Sequence, residues 1–275
     1  MAGPFEQDVP KGPLAVRWDG FELVEVRAGA LTSAAVELAN AGTAAWRSRG
    51  AAGVLLAYHW LDEQGNPIVW DGVRTALERG VEPGDRLRAE IAIRGPIPPG
   101  RYRLAVDLVD EGRTWFAELG NSALEVVCDV APRIPRALAA RGGDPDALAA
   151  QEEPLVPEQE AAAVAYLADG VAPAPDWSRR VLDAHAEGYA IVGGSVQAET
   201  GLLRRAPREL EPYTAGSGRI PGFPHPLVCP SAVVGVDLDW IDEIAGLPAA
   251  RPPDVEPWLY DGRIRARLRS GRRRG

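Results

Sequence analysis

Residues 165–196 read AYLADGVAPAPDWSRRVLDAHAEGYAIVGGSV, and this stretch determines the fold expected for the second half of the chain. It predicts a short apolar strand, a turn of small residues and prolines, an amphipathic helix and a second strand that ends at Gly193-Gly194. Asp169 directly follows the first strand, at a position where open α/β sheets bind their ligands. The two glycines would let another group approach the backbone closely, so we count them as candidate binding residues.

The helix of this stretch is predicted over residues 177–187. Its apolar residues recur at helical spacing, Asp176 is a good N-cap residue, and Gly188 is a common residue just past a helix C-terminus. The stretch therefore predicts α/β structure in the second half of the chain.

The bulk composition excludes several classes of protein. The chain has 275 residues, which suggests two domains. Its formal net charge of -9 argues against a nucleic-acid partner. No apolar run approaches the ~20 residues of a transmembrane helix, and the first residues lack the apolar core of a secretion signal. We expect a cytoplasmic protein, either free or peripheral at the membrane surface. Its two cysteines are expected to be free and buried, with a disulfide as the alternative.

Residues 13–130 predict an antiparallel β-sandwich. Short β-rich runs alternate with turns that contain Gly, Pro, Asn or Asp. Residues 87–93 and 102–108 alternate apolar and polar side chains, which indicates one buried and one exposed face. The predicted strands are 14–18, 21–26, 34–38, 54–61, 68–70, 87–93, 102–109, 114–116 and 124–130.

The sequence of this half resembles bacterial immunoglobulin-like accessory modules. The similarity lies in VELANAGTAAW at 36–46, GVLLAYHWLDEQGNPIVWDG at 53–72 and PPGRYRLAVDLVDEGRTWF at 98–116. In such modules a strand leads to an Asn-x-Gly-Thr turn and a Trp, and a Pro-Gly-x-Tyr hairpin precedes the penultimate strand. The resemblance implies an immunoglobulin-like sandwich.

Four tryptophans of this half are candidate glycan-binding residues. An exposed row of indole rings could stack on the apolar faces of sugars, whereas buried indoles would simply fill the core. His59 should point to the face opposite Tyr58 and Trp60 if the strand is regular. The four candidates are Trp46, Trp60, Trp70 and Trp115.

Residues 131–157 predict a connector between the two halves. They are rich in Pro, Ala and Gly, and they allow two short helices, over 136–141 and over 145–152. Asp144-Pro145 is a start signal for the second of these helices. Residues 158–275 then form the predicted second domain.

The stretch 165–196 resembles the middle of family-two GT-A glycosyltransferases. In that family an apolar strand runs into an Asp-x-Asp metal motif, followed by a proline-rich turn, a Trp, a helix and a strand that ends in Gly-Gly. Here Ala168 and Gly170 occupy the two metal-motif positions and only Asp169 is acidic, while the nucleotide-binding half of the family is missing. The resemblance therefore implies a small, incomplete GT-A-like domain.

If the domain is an active transferase, the resemblance implies Asp169, Asp239 and Glu256 as its catalytic carboxylates and a divalent metal as its cofactor. Otherwise we expect no cofactor and no metal site. Arg219 follows a Gly-Ser-Gly run and is a candidate phosphate-binding residue. Residues 232–236 predict a strand, and 239–245 predict a helix that ends at Gly246.

The C-terminal run RIRARLR at 263–269 alternates strictly between arginine and apolar residues. This pattern predicts a strand with one basic face, and Arg272–274 extend the positive charge. The tail is expected either to be solvated or to bind an anionic partner such as a phosphate-bearing lipid or glycan.

The sequence as a whole predicts a multidomain protein with a sandwich followed by an incomplete α/β domain. We expect a non-catalytic accessory or glycan-binding protein in the assembly of cell-surface polysaccharide or glycoconjugates, with a complete glycosyltransferase as a candidate partner. The alternatives are an active nucleotide-sugar-dependent glycosyltransferase and a protein-interaction scaffold.

Overall fold

The computed structural model describes residues 11–198, 218–222, 226–244 and 246–268. The chain divides into two compact units, Met1–Ala131 and Pro132–Gly275, and each is described separately. Across the ranges described, no helix is long and apolar enough to cross a lipid bilayer.

The first unit is built from strands. They are β1 Val16–Leu23, β2 Val26–Arg27, β3 Leu31–Asn40, β4 Ser48–Arg49, β5 Ala52–Leu61, β6 Pro67–Val69, β7 Thr75–Ala76, β8 Arg86–Arg94, β9 Gly100–Asp110, β10 Thr114–Trp115 and β11 Leu124–Ala131. A short 3-10 turn, Ala117–Leu119, follows β10.

These strands form two sheets around one hydrophobic core. One sheet has the order β1-β3-β8, and the other has the order β2-β11-β9-β5-β4, with β10 on β9 and with β6 and β7 on β5. The core holds apolar side chains from both sheets. All pairings are antiparallel except that of β2 with β11. The β-rich, two-sheet architecture expected from the sequence is confirmed.

The alternation in β8 shows why the sequence forms a half-buried strand. Leu87, Ala89, Ile91 and Ile93 are buried, whereas the residues between them are exposed or half-buried. The predicted turn that begins at Asn40 also forms, since the buried Asn40 side chain accepts the backbone N–H of residue 42 and donates to two carbonyl groups.

The second unit is also mainly β-structure. Its elements are β12 Leu138–Arg141, α1 Pro145–Ala149, β13 Ala163–Tyr166, β14 Val171–Pro173, α2 Trp177–Glu187, β15 Ile191–Ala198, β16 Arg219–Pro221, β17 Leu227–Val228, β18 Ser231–Val233, β19 Asp239–Ile244, β20 Leu247–Arg251 and β21 Trp258–Leu268. A 3-10 turn lies at Glu158–Glu160.

Seven strands of this unit form a mixed sheet of order β12-β13-β18-β15-β21-β14, with β16 paired to β21. A second sheet has the order β17-β20-β19. The pairs β12–β13 and β15–β21 are parallel and the others are antiparallel. Helix α2 packs its apolar stripe into the core beside β15 and β21.

The GT-A-like α/β domain is the main correction to the predicted fold. Such a domain needs a parallel sheet whose crossover helices cover its faces. Among the residues described, α2 is the only helix longer than five residues, and most strand pairs of the second unit are antiparallel. The described part of this unit is therefore a multi-sheet β structure and contains no GT-A-type domain.

Two helix predictions in the second unit are wrong. Residues 138–141 form β12, which pairs in parallel with β13, instead of the helix predicted over 136–141. Residues 239–244 form β19 instead of a helix, because the chain reverses beside Gly246 and pairs Ile244 with Leu247 in the next strand. Gly246 has a φ of 79°, so it serves a hairpin turn and not a helix end.

The predicted boundaries of α2 are confirmed, as is the start of α1. Asp144 accepts the backbone N–H of Ala147 at 2.9 Å, as an N-cap does. Asp176 precedes α2 but makes no such bond, because its carboxylate accepts from Arg180 Nε at 2.5 Å.

Candidate functional site

Strand β5 carries its side chains into two layers. Tyr58 and Trp60 lie in the core between the two sheets. His59, between them, points to the outer face of its sheet, where Leu55 and Trp115 belong to a separate buried cluster. The orientation predicted from strand alternation is confirmed, and it places an imidazole under the loop that follows β6.

The pairing of β6 with β5 brings Trp70 beside His59. Their ring centroids lie 4.1 Å apart with an angle of 24° between the planes, and His59 Nδ1 donates to the carbonyl oxygen of Trp70. Gly72 keeps the loop against the strand, because its N–H donates to the carbonyl oxygen of Tyr58 at 3.0 Å. A Cβ at this position would lie 2.5 Å from that oxygen, so a larger residue would push the loop away.

Trp115 also packs against His59, at roughly a right angle to the direction of Trp70. Its ring centroid lies 4.2 Å from that of His59 and 6.2 Å from that of Trp70. Trp115 is only 9% exposed, whereas Trp70 is 51% exposed. Since His59 covers one face of the Trp70 indole, the exposure of Trp70 belongs to its other face and its edges.

Charged groups border these rings. The Arg74 guanidinium carbon lies 4.6 Å from the centroid of Trp115, a cation–π contact. Arg74 also donates to Asp71 and to Glu111, each at 2.9 Å. We call the following group the aromatic patch: His59, Trp70, Trp115, Arg74, Asp71 and Glu111.

The imidazole of His59 supports the patch as a neutral ring. Burial lowers the pKa of His59, and the hydrogen bond to the Trp70 carbonyl group together with the charge of Asp71 offsets this only in part. A neutral, stacked imidazole holds Trp70 in place, and the patch contains no serine, cysteine or lysine nucleophile. The rings and charged groups of the aromatic patch are therefore arranged to bind a ligand.

Trp46 and Trp60 require a correction as glycan-binding residues. Both are completely buried in the core of the first unit and cannot reach a ligand at the surface. Trp46 packs edge-on against Phe116, and Trp60 Nε1 donates to the carbonyl oxygen of Arg94 at 2.8 Å. Only Trp70, and to a small extent Trp115, remains accessible.

The predicted catalytic carboxylates Asp169 and Glu256 do not converge. Asp169 lies in the turn before β14, near the end of β21, because Val171 pairs with Leu268. Glu256 lies just before the first residue of β21. This strand has eleven residues and runs beside the eight residues of β15, so it separates the two carboxylates by at least about 20 Å, which no single cation can bridge.

Asp169 and Glu256 also have surroundings other than those of a catalytic pair. Asp169 is exposed in a turn closed by a bond from Val171 N to the Ala168 carbonyl group. Glu256 accepts from Arg133 Nη2 at 2.8 Å. Asp239 lies in β19, and its side chain is outside the description. Within the described ranges, no group of three or more His, Cys, Asp or Glu side chains is arranged to hold a metal ion.

The close approach predicted at Gly193-Gly194 is made by the protein itself. A Cβ on Gly193 would lie 2.8 Å from Leu227 Cδ2, and one on Gly194 would lie 2.2 Å from the carbonyl oxygen of Ile264. The two glycines therefore allow tight packing of β15 against its neighbours, and the space beside them is not available to a ligand.

Arg219 is engaged inside the second unit. It forms ion pairs with Glu187 at 2.5 Å and with Asp261 at 3.5 Å. Burial alone would raise the pKa of Asp261, but the hydrogen bonds and charge of Arg263, with the charge of Arg219, outweigh it and lower that pKa. Gly216 and Ser217 of the predicted phosphate loop lie outside the described residues.

Sequence spacing missed a buried serine–histidine pair. Ser231 Oγ lies 2.9 Å from His185 Nε2, and His185 Nδ1 lies 2.8 Å from the carbonyl oxygen of Tyr189. His185 is fully buried and Ser231 is 2% exposed, so no substrate reaches the pair. It ties α2 to β18. The position of His185 in the apolar stripe of the helix was the signal for its burial.

Both cysteines are free and buried, as the sequence predicts. Burial raises the pKa of the Cys128 and Cys229 thiols to about 11. Neither is a reactive thiolate at neutral pH.

Comparisons with known proteins give no family. No family model matches the chain, and no curated protein matches it. Its solved structural neighbours include the C-terminal domain of wzt, with 9% identity, a TM-score of 0.32, and coverage of 47% of this chain and 81% of that one. A family 123 glycoside hydrolase from Clostridium perfringens, described in a study of glycolipid glycan hydrolysis, has 12% identity and a TM-score of 0.24. That match covers 62% of this chain and 33% of the hydrolase. Scores this low support no conclusion about fold or function.

Proposed function

We propose that this protein is a non-catalytic accessory protein that binds carbohydrate through the aromatic patch of its first unit. The observation that carries the proposal is the Trp70 indole, which is 51% exposed while its inner face is stacked on His59. A sugar ring has an apolar face of C–H groups, and a flat, fixed indole offers a matching apolar surface. The loss of side-chain freedom on binding is small because the ring is already held.

The polar border of the patch supports the same proposal. Asp71 is 69% exposed and Glu111 is 36% exposed, so both carboxylates can accept hydrogen bonds from sugar hydroxyl groups. Arg74 holds both carboxylates in position. An apolar platform bordered by a few fixed polar groups is the usual composition of a small-ligand site.

We propose further that the glycan belongs to a cell-surface polysaccharide or glycoconjugate and that a complete glycosyltransferase is a protein partner. The resemblance of residues 36–116 to bacterial immunoglobulin-like accessory modules supports the accessory role, and the exposed Trp70 indole supports the glycan ligand. An active transferase is not favoured, since Asp169 and Glu256 lie at opposite ends of β21.

Titration calorimetry of the full chain against a panel of neutral and acidic oligosaccharides tests the proposal. We expect Trp70→Ala to weaken binding at least about tenfold, because stacking of comparable planar groups on aromatic rings contributes roughly 1–3 kcal/mol. Trp70→Phe should retain part of the affinity. Val24→Ala truncates an apolar side chain that is also exposed, in another part of the first unit, and should have no effect.

Two results would contradict the proposal. One is oligosaccharide affinity that is equal in Trp70→Ala and Val24→Ala, or absent throughout the panel. The other is metal-dependent binding of a nucleotide-sugar that Asp169→Ala abolishes, which would restore the transferase interpretation.

A further inference from the structure

Strand β21 carries the basic face that the sequence predicts. Arg263, Arg265 and Arg267 are exposed, whereas the intervening Ile264 and Ala266 are buried in the core of the second unit. Alternate residues of a strand are about 7 Å apart and point to the same side. The three arginines therefore form a row of positive charge along the surface of the sheet.

The neighbouring strands leave part of this row without counter-charge. In the register of the sheet, Arg265 lies beside Ser195, and Arg267 lies between Gln197 and Ala172. These positions carry no carboxylate. The three-stranded sheet of the first unit shows the contrasting arrangement, since Arg88 of β8 there pairs with Glu37 of the adjacent β3 and with Glu22 of β1 beyond it.

Two arginines near Arg265 and Arg267 already form ion pairs with described carboxylates. Arg263 is held by Asp261 at 2.8 Å, and Arg180 is held by Asp176 at 2.5 Å. Neither Arg265 nor Arg267 has a described carboxylate within ion-pair distance.

All four arginines line one cleft. Its volume is about 810 Å³, within the range of roughly 300–1,000 Å³ typical of small-molecule sites. The cleft lies between α1, β14, the start of α2 and the ends of β15 and β21. Gln197 and the exposed Asp146 also line it, as do the small residues 172–175, so polar side chains lie beside the positive charge.

We propose that this cleft binds a phosphate-bearing ligand, with the phosphoryl group held by Arg265 and Arg267. Guanidinium groups bind phosphate oxygens in a bidentate manner, and two unshared guanidinium groups side by side fit a doubly charged anion better than a single carboxylate. The exposed Asp146 carboxylate then accepts hydrogen bonds from hydroxyl groups of the organic part. The ligand is either a soluble organic phosphate or the phosphate headgroup of a lipid. This site is separate from the aromatic patch and does not depend on it.

Calorimetric titration of the full chain with inorganic diphosphate tests the phosphate chemistry. We expect binding that weakens as sodium chloride is raised, and at least about a tenfold loss of affinity in Arg265→Gln/Arg267→Gln. The Arg265→Lys/Arg267→Lys variant keeps the charge but loses the planar fork, so it should bind with intermediate affinity. Arg49→Gln/Arg251→Gln removes the same charge from exposed arginines outside the cleft and should bind as the unaltered chain does.

A second measurement identifies the source of the phosphate. Vesicles of phosphatidylcholine with phosphatidic acid, compared with phosphatidylcholine alone, report headgroup binding by co-sedimentation. Loss of vesicle binding in Arg265→Gln/Arg267→Gln supports a lipid ligand, whereas diphosphate binding without vesicle binding supports a soluble one. The proposal is overturned if neither probe binds, or if the cleft and control double variants behave alike. Thermal unfolding of each variant verifies that it is folded.

Discussion

The imidazole of His59 and the indole of Trp70 stack with their centroids 4.1 Å apart, and the Trp70 carbonyl group accepts a hydrogen bond from the same imidazole. Trp70 thus covers the His59 imidazole from water, and the hydrogen bond from His59 holds Trp70 in place. Because burial lowers the pKa of His59, that pKa should report on how well Trp70 covers the ring.

We predict that Trp70→Ala raises the pKa of His59 toward the ordinary value of about 6.5, since water then reaches the imidazole. In the unaltered protein the unfolded state takes up the proton first as the pH falls below about 6.5, so the contribution of His59 to stability is lost on acidification. An NMR titration of the imidazole resonance, assigned with His59→Gln, measures the shift. An unchanged pKa in Trp70→Ala would show that Trp70 does not shield the ring.

Asp107 should give a pH dependence of stability opposite to that of His59. It is fully buried, and burial raises its pKa to about 6 although the N–H groups of Leu108 and Ala117 favour the charged form. As the pH rises, Asp107 therefore keeps its proton to a higher pH in the folded state than in the unfolded state. The stabilisation is complete below about pH 4 and is lost as the pH rises through about 6, a change of about 3 kcal/mol.

The Asp107→Asn variant isolates this effect. Its free energy of unfolding, measured by urea denaturation from pH 4 to pH 8, should lack the fall that the unaltered protein shows through about pH 6. The other titrating groups are the same in both proteins, so the difference between the two curves belongs to residue 107. Parallel curves would refute the assignment.

Trp46 and Trp60 provide a matched pair of core indoles. Both are fully buried, but Trp46 Nε1 has no hydrogen-bond partner among the residues described, while Trp60 Nε1 donates to the carbonyl oxygen of Arg94. We predict that Trp46→Phe costs less stability than Trp60→Phe, by roughly 1 kcal/mol, because only the second change removes a satisfied hydrogen bond. Urea denaturation of both variants decides the order, and a larger loss for Trp46→Phe would contradict it.

Ser231 is expected to matter for stability. Since His185 Nδ1 donates to the Tyr189 carbonyl group, Nε2 accepts the Ser231 hydroxyl proton at 2.9 Å, in preference to the Val192 carbonyl oxygen at 3.3 Å. Burial lowers the pKa of His185 to about 4. Ser231→Ala leaves this buried nitrogen without a donor and should reduce the free energy of unfolding by about 1–3 kcal/mol. Ser33→Ala removes an exposed hydroxyl and should change it by less than about 0.5 kcal/mol. Equal effects of the two changes would show that the buried bond contributes nothing.

The sequence predicted the elements whose pattern is local. Turn residues and alternation located most strands of the first unit, and helical spacing with Gly188 gave the bounds of α2. The alternation of residues 263–268 predicted the basic face of β21, and it left open whether this face is solvated or binds an anionic partner. Each of these features depends on neighbours within a few residues along the chain.

Long-range pairing decided the rest. The sequence around Trp46 and around Trp70 could not show that one indole is buried and the other half exposed, because burial depends on which strand lies opposite. For the same reason residues 239–244 formed a strand: pairing with residues 247–251 provided the backbone hydrogen bonds that a helix would otherwise have made internally. The sequence by itself determined which face of each element is apolar. The tertiary structure determined what covers that face, and it thereby left Trp70, Arg265 and Arg267 accessible to a ligand.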